Sequence, residues 1–271
     1  MTATPGRARS SSVGERGRAH GRVACSALAA VLAGFACDTA PALAATTPSS
    51  DTPGTSARLA ASLHPDRLGA HARLTLTVDY AGGAGVPLAV RRSVISMPAG
   101  MSLDVPSLRS CSGTRLLEHG AGACPPQSRL GRGHALLATE LEDEIVTERA
   151  SLSIAIGPPQ NLHPTFEILA RGSTPVAEQR VLTGMVVPAS PPYGEALAMS
   201  IPPIPTLATA PYASVLNLSL AIGTPVAQGH RRVNSVVIPS SCPRGGFPFA
   251  AEFVYANGAS ESSRATVPCP R

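Results

Sequence analysis

The feature that most constrains this chain is a two-residue alternation of apolar and polar side chains. Apolar residues occupy every second position from 74 to 80, and the pattern recurs at 152–156, 216–222 and 247–255. Successive side chains of a strand point to opposite faces, so this period predicts strands with one buried and one solvated face. Weaker alternation predicts further strands at 59–63, 88–97, 135–141, 166–170, 181–187, 196–201, 233–238 and 264–267.

About a dozen short strands without intervening helices predict an all-β fold, an antiparallel β-sandwich spanning residues 57–271. The 25 glycines and 27 prolines make up about 19% of the 271 residues, below the roughly 25–30% typical of low-complexity disorder. We therefore interpret them as turns between strands. The only helical candidate is 107–119, where a loop is the alternative.

Two similar segments suggest a duplication. SLSIAIG at 151–157 resembles NLSLAIG at 217–223, which indicates two related halves, 57–172 and 173–271. The alternative is that alternating strands drawn from few residue types look alike, and the sequence leaves both interpretations open.

The N-terminal region has the pattern of an export signal. An uncharged apolar run at 23–36 follows five arginines and is too short to cross a bilayer, and Ala42-Leu43-Ala44 resembles a cleavage site. We predict a signal peptide at 1–44, cleavage between Ala44 and Ala45, and a disordered Pro/Ser/Thr-rich tether at 45–56. The mature chain is expected to be secreted or associated with the cell surface and to carry no transmembrane segment. The alternative is a lipoprotein anchored at Cys37, but residues 34–36 (GFA) lack the usual branched aliphatic residue.

Four cysteines remain in the predicted mature chain, namely Cys111, Cys124, Cys242 and Cys269. An even number in an exported chain indicates disulfides, and four cysteines allow three pairings. We favour the sequential pairing, Cys111 with Cys124 and Cys242 with Cys269, because each bond would then join a local excursion of the chain. Zinc is the competing interpretation, but the chain has no Cys-x-x-Cys motif.

The charged residues argue against several functions. All 22 basic residues are arginine, which excludes catalysis by lysine. Removal of residues 1–44 leaves 17 arginines and 15 acidic residues, so the mature chain is nearly neutral and no nucleic-acid partner is expected.

Two groups of residues are candidate binding sites. One is an acidic cluster that could bind calcium but is better interpreted as a solvated hairpin turn, because it lacks a calcium-loop spacing; its members are Glu140, Glu142, Asp143, Glu144 and Glu148. The other is a pair of tyrosines in proline-rich loops, Tyr193 and Tyr212, which are candidates for stacking on a sugar.

No recognisable catalytic motif is present. The chain has no Gly-x-Ser-x-Gly or His-Glu-x-x-His sequence, and its histidines are scattered. We therefore predict no catalytic residue, no metal site and no cofactor.

Four segments resemble uncharacterised exported β-rich proteins of high-GC actinobacteria that carry paired cysteines. They are CPPQSRLGRGHA at 124–135, SIPPIPTL at 200–207, CPRGGFPF at 242–249 and VPC at 267–269. The resemblance implies a recurring secreted module and carries no known activity or functional residue.

The expected function is therefore a non-catalytic interaction or structural role at the cell surface or cell wall, with an unidentified envelope or extracellular partner. The alternative is a module that binds an envelope polysaccharide or lipid. A hydrolase with dispersed catalytic residues is the third hypothesis.

The export prediction can be tested directly. N-terminal sequencing of protein recovered from the culture medium should give a chain that begins at Ala45. A mature chain that begins at a lipid-modified Cys37 would instead establish a lipoprotein.

Overall fold

The alternating segments of the sequence fold into antiparallel strands. The structure is a computed structural model, and with backbone alone for 226–233 it describes residues 55–83, 85–104, 108–142, 144–173, 178–206, 211–228 and 231–270. The predicted signal peptide 1–44, its cleavage site at Ala44 and Ala45, and Cys37 lie outside the described residues, as does most of the tether 45–56.

Each predicted segment overlaps a strand, although several strands begin earlier than predicted and two short strands, Ser102–Leu103 and Val226–Gln228, lie outside the predicted segments. Their bounds are β1 Ser56–His64, β2 His71–Ala81, β3 Val90–Pro98, β4 Ser102–Leu103, β5 Arg129–Leu141, β6 Glu144–Gln160, β7 His163–Arg171 and β8 Gln179–Pro188. The remaining strands are β9 Tyr193–Ser200, β10 Ser214–Ile222, β11 Val226–Gln228, β12 Arg231–Val233, β13 Val236–Val237, β14 Phe247–Tyr255 and β15 Ser260–Val267. The predicted all-β antiparallel fold is confirmed, and the helical candidate forms one short helix, α1, at Gly113–His119. In the described part of the chain, no helix is long and apolar enough to span a membrane.

Thirteen strands belong to one continuous sheet. Its order is β15-β14-β3-β9-β8-β7-β6-β5-β10-β2-β13-β4, and β1 pairs with the other edge of β2. The proposed halves 57–172 and 173–271 are not separate within it, because β3 lies between β9 and β14 and β10 lies between β2 and β5. The similar segments 151–157 and 217–223 lie in β6 and β10, which flank β5 on its two sides.

The sheet curls until the outer edge of β1 meets the outer edge of β15. Strand β1 lies beside β15, at a seam where side chains replace the usual backbone ladder. The Ala57 N–H donates to Glu261 Oε1 at 2.9 Å, and the Leu59 N–H donates to Ser263 Oγ at 2.9 Å. The path from β1 through β2, β10, β5, β6, β7, β8, β9, β3 and β14 to β15 crosses only antiparallel pairings, ten in all. An even number of reversals makes β1 and β15 run in the same direction, which agrees with the rising residue numbers on both sides of the seam.

The inner faces of the strands share one apolar core, so opposite sides of the curled sheet pack on each other as the two layers of a sandwich do. We call the end of the sheet that holds Ser56, Leu141 and Arg171 the lower end. On the side of the seam, this end is filled by aromatic residues, and the rings of Tyr80 and Phe253 meet edge to face with centroids 5.2 Å apart. Each such ring contributes roughly 1.5–3 kcal/mol by burial.

A small outer layer covers β6, β7 and β8. Helix α1 begins after Ser112, whose hydroxyl accepts from the Arg115 N–H, and its Leu116 is buried against the sheet. Cys111 bonds to Cys124 with 5.6 Å between their Cα atoms, and the Cys111 N–H donates to the Ile156 carbonyl at 2.8 Å. The disulfide therefore closes the excursion between β4 and β5, and the hydrogen bond to Ile156 holds this excursion against β6.

The second disulfide joins Cys242 to Cys269, with Cα atoms 5.8 Å apart. It ties the segment before β14 to the segment after β15. Both disulfides follow the sequential pairing that the sequence analysis favoured.

Glu167 is a buried carboxyl group beneath α1. Its side chain lies on the outer face of β7, only 4% exposed, and Oε2 accepts from Thr183 Oγ1 at 2.7 Å. Burial raises the pKa of the Glu167 carboxyl above its ordinary value, although the hydrogen bond from Thr183 acts in the opposite direction.

The seam predicts a measurable cost for Glu261→Ala. Besides the Ala57 N–H, the Glu261 carboxylate accepts from the Tyr255 hydroxyl at 2.7 Å, so its removal leaves two donors unpaired. We expect the free energy of unfolding to fall by about 1–3 kcal/mol in urea titrations. Ser262→Ala on the exposed face of β15 is the control. Equal unfolding free energies for both variants would contradict a stabilising role for the seam.

Glu167→Gln should stabilise the protein at neutral pH. The folded state holds the Glu167 proton more tightly than the unfolded chain, so wild-type stability falls as pH rises from the ordinary glutamate pKa, about 4.3, through the raised folded value. Glutamine keeps an acceptor for Thr183 and removes the charge. Urea titrations should show a gain at pH 7 that disappears below about pH 4. The exposed Glu252→Gln is the control, and a Glu167→Gln variant no more stable than wild type at pH 7 would contradict the interpretation.

Candidate ligand-binding cavity

The acidic cluster lies on the hairpin between β5 and β6. Glu140, Glu142 and Glu144 are exposed, and Glu142 forms the turn with a φ of 48°. Asp143 lies outside the described residues. Glu148 differs from the others because it lies on the inner row of β6. No group of three or more potential metal ligands occurs among the residues that the structure describes.

The two candidate stacking tyrosines do not form a joint platform. Tyr193 is half-buried at the start of β9, whereas Tyr212 is 56% exposed. Tyr212 lies beyond the other end of β9, because its neighbour Ala213 forms a β-bridge with Ile204, which follows β9. The length of β9 therefore separates them.

The histidines are likewise dispersed. His71 Nδ1 forms a hydrogen bond of 2.8 Å with the Asn234 carbonyl, and the exposed His119 lies 3.7 Å from the Glu118 carboxylate. His230 lies outside the described residues. The described histidines therefore occupy separate places, and none lines the cavity described next.

An apolar cavity of about 120 Å³ lies inside the lower end of the sheet, on the side away from the seam. Its walls come from the inner faces of β5, β6, β7, β8, β9 and β10 and from the segment after β9. Several of the apolar residues that line it are only partly buried, so the cavity opens to solvent. These residues are Leu137, Ala170, Leu182, Met199, Ile201, Val215 and Leu218.

Small side chains create this cavity. Four of the lining residues are alanines, namely Ala135, Ala150, Ala170 and Ala213. Ala135 of β5 lies directly opposite Ala150 of β6. Nearer the other end of the sheet, the residues that face each other are large, as with Ile156 of β6 and Phe166 of β7. Close packing needs large side chains to fill the interior of a wide sheet, so a row of methyl groups leaves space. No aromatic ring is among the described residues that line it.

The charged residues of the described cavity lining lie at its rim. Arg180 donates to Glu178 Oε1 from Nε at 3.2 Å and from Nη2 at 2.7 Å, and its Nη1 donates to the Pro203 carbonyl at 3.2 Å. This guanidinium thus joins β8 to the segment after β9. The Glu148 carboxylate also lines the cavity, and its Oε1 is buried without a hydrogen-bond partner among the described residues.

Sequence reasoning missed the cavity because its residues are spread from Ala135 to Leu218. The sequence did contain one indication that Glu148 points inward. It is separated by an even number of positions from Leu152 and Ile154, whose side chains were predicted to point inward, so all three lie on the same face of a strand. The predicted strand began too late to include Glu148.

The geometry of the cavity is thus the main indication of function. Comparisons of the chain with protein-family models, with curated proteins and with solved structures found no match.

Proposed function

We propose that this is an exported, non-catalytic protein that binds the apolar end of an envelope lipid or a similar amphiphile inside its curled sheet. The observation that carries the proposal is the open apolar cavity at the lower end. Ligand pockets are typically apolar with a few polar groups at defined positions.

The size of the cavity limits the ligand. An apolar cavity of roughly 150 Å³ in another protein stays dry and binds benzene. A cavity of about 120 Å³ therefore suits a single small ring or a chain of a few carbons. A longer molecule would insert one end and leave its polar part at the rim.

The lining favours a lipid-like ligand over a polysaccharide or a hydrolase substrate. Sugars are usually bound on aromatic platforms, and no aromatic ring is among the described residues of the mostly aliphatic cavity walls. These described walls also contain no serine, cysteine or histidine. Of the groups that remain, Glu178 is paired with Arg180, and the Thr206 hydroxyl donates to the Pro211 carbonyl. An ordinary interaction or structural role at the cell surface would not need an open apolar cavity.

Export is part of the proposal and rests on two features. The N-terminal arginines followed by an apolar run are typical of a signal peptide. The two disulfides form and persist in oxidising compartments.

Ligand binding can be tested with small apolar probes. Toluene or n-hexanol should stabilise the mature protein against heat, because a ligand at about 100 times its Kd contributes about 2.7 kcal/mol to the folded state. Isothermal titration calorimetry then gives the affinity. A protein with an unchanged melting temperature and no heat of binding for either probe would contradict the proposal.

A filling substitution locates the site. Ala150→Leu places three extra carbons in the cavity and should abolish probe binding while the far-ultraviolet circular dichroism spectrum is retained. Ala170→Leu, on the partly buried wall, is a second filling variant in case the first fails to fold. Ala60→Leu on the exposed face of β1 is the matched control and should bind like wild type. Full binding by folded Ala150→Leu and Ala170→Leu would place the probes elsewhere.

A further inference from the structure

Glu148 is the last residue of β6, towards the lower end, that lines the cavity. Residues 148, 150 and 152 all line the cavity, which places them on one row of the strand. The described pairing of β6 with β7 ends at Ser151 and Arg171, so on that side no strand partner lies beside Glu148 among the described residues. On the other side it pairs with Leu137 of β5. The carboxylate therefore lies at the lower rim of the apolar wall.

The carboxylate of Glu148 has unmet hydrogen-bonding capacity. Its Oε1 is buried and accepts no hydrogen bond from the described residues. Arg180, the basic residue among the described lining residues, is directed to Glu178 and to the Pro203 carbonyl instead. A buried acceptor without a partner is costly, and more so when it is charged.

The charges of the lining are unbalanced. Arg180 neutralises Glu178, which leaves the carboxylate of Glu148 as the uncompensated charge among the described lining residues. A ligand that brings a positively charged donor to this place would satisfy Oε1 and balance the charge. A ligand with a negative head group would meet repulsion there.

We infer that the cavity selects amphiphiles with a cationic amine at the polar end, whose ammonium group binds Glu148 while the hydrocarbon end occupies the cavity. This inference rests on the proposed binding function and names its substrate class. The hydrocarbon supplies affinity through burial, and the ammonium supplies selectivity through a charge-assisted hydrogen bond.

A matched series of probes tests the selectivity. Hexylammonium, n-hexanol and hexanoate share one chain and differ in head-group charge. Calorimetry at pH 7 should show hexylammonium binding about tenfold more tightly than hexanol, because a hydrogen bond to a charged group is the stronger one. Hexanoate should bind most weakly.

Glu148→Gln separates charge from shape. This variant should lose most of the advantage of hexylammonium over hexanol, because glutamine keeps the shape of the side chain and removes its charge. The control is Glu140→Gln on the exposed face of the same hairpin, which should keep the full preference.

The two proposals fail in different ways. Binding of hexanol and toluene without a preference for hexylammonium, or a preference that survives in Glu148→Gln, would overturn the amine inference and leave the binding function standing. No binding of any probe would overturn the binding function itself.

Discussion

The closure of the sheet at the seam between β1 and β15 is the constraint on which the rest of the structure depends. A path with an even number of antiparallel pairings brings its two end strands together in parallel. Side chains satisfy the edge of β1 there, with the Glu261 carboxylate and the Ser263 hydroxyl accepting its N–H groups. Exposed strand edges otherwise invite pairing with other chains, so the seam both closes the core and protects an edge.

Closure creates an interior that must be filled, and this chain has few large side chains to fill it. There is no tryptophan, and the chain holds only five phenylalanines and four tyrosines. Three of the phenylalanines lie fully buried on β14, close to the seam, and Tyr80 of β2 packs against one of them, Phe253. Burial raises the pKa of the Tyr80 phenol, and Tyr255 and Glu261 nearby raise it further, so it stays neutral in this apolar region. The opposite side of the lower end receives alanines, and the cavity follows from that uneven distribution.

The outer layer stabilises the wall that carries the cavity. Helix α1, held by the Cys111–Cys124 bond, packs on the outer faces of β6, β7 and β8, whose inner faces line the cavity. Disulfide bonds stabilise mainly by restricting the unfolded chain, so this excursion can remain ordered with only a small apolar cluster beneath it.

The amino-acid sequence by itself determined the strands, their buried faces and the local excursions that the disulfides close. These properties depend on neighbours along the chain, because a two-residue period sets the face of each side chain wherever a strand forms. Only the tertiary structure decided that residues 57–172 and 173–271 interleave in one sheet and that Ala135 and Ala150 share the cavity with Ala170 and Ala213. It also decided that Oε1 of Glu148 has no hydrogen-bond partner among the described residues, since Arg180 is directed to Glu178. Strand order and facing rows arise from contacts between distant segments, and the alternation is the same whichever strand becomes the neighbour.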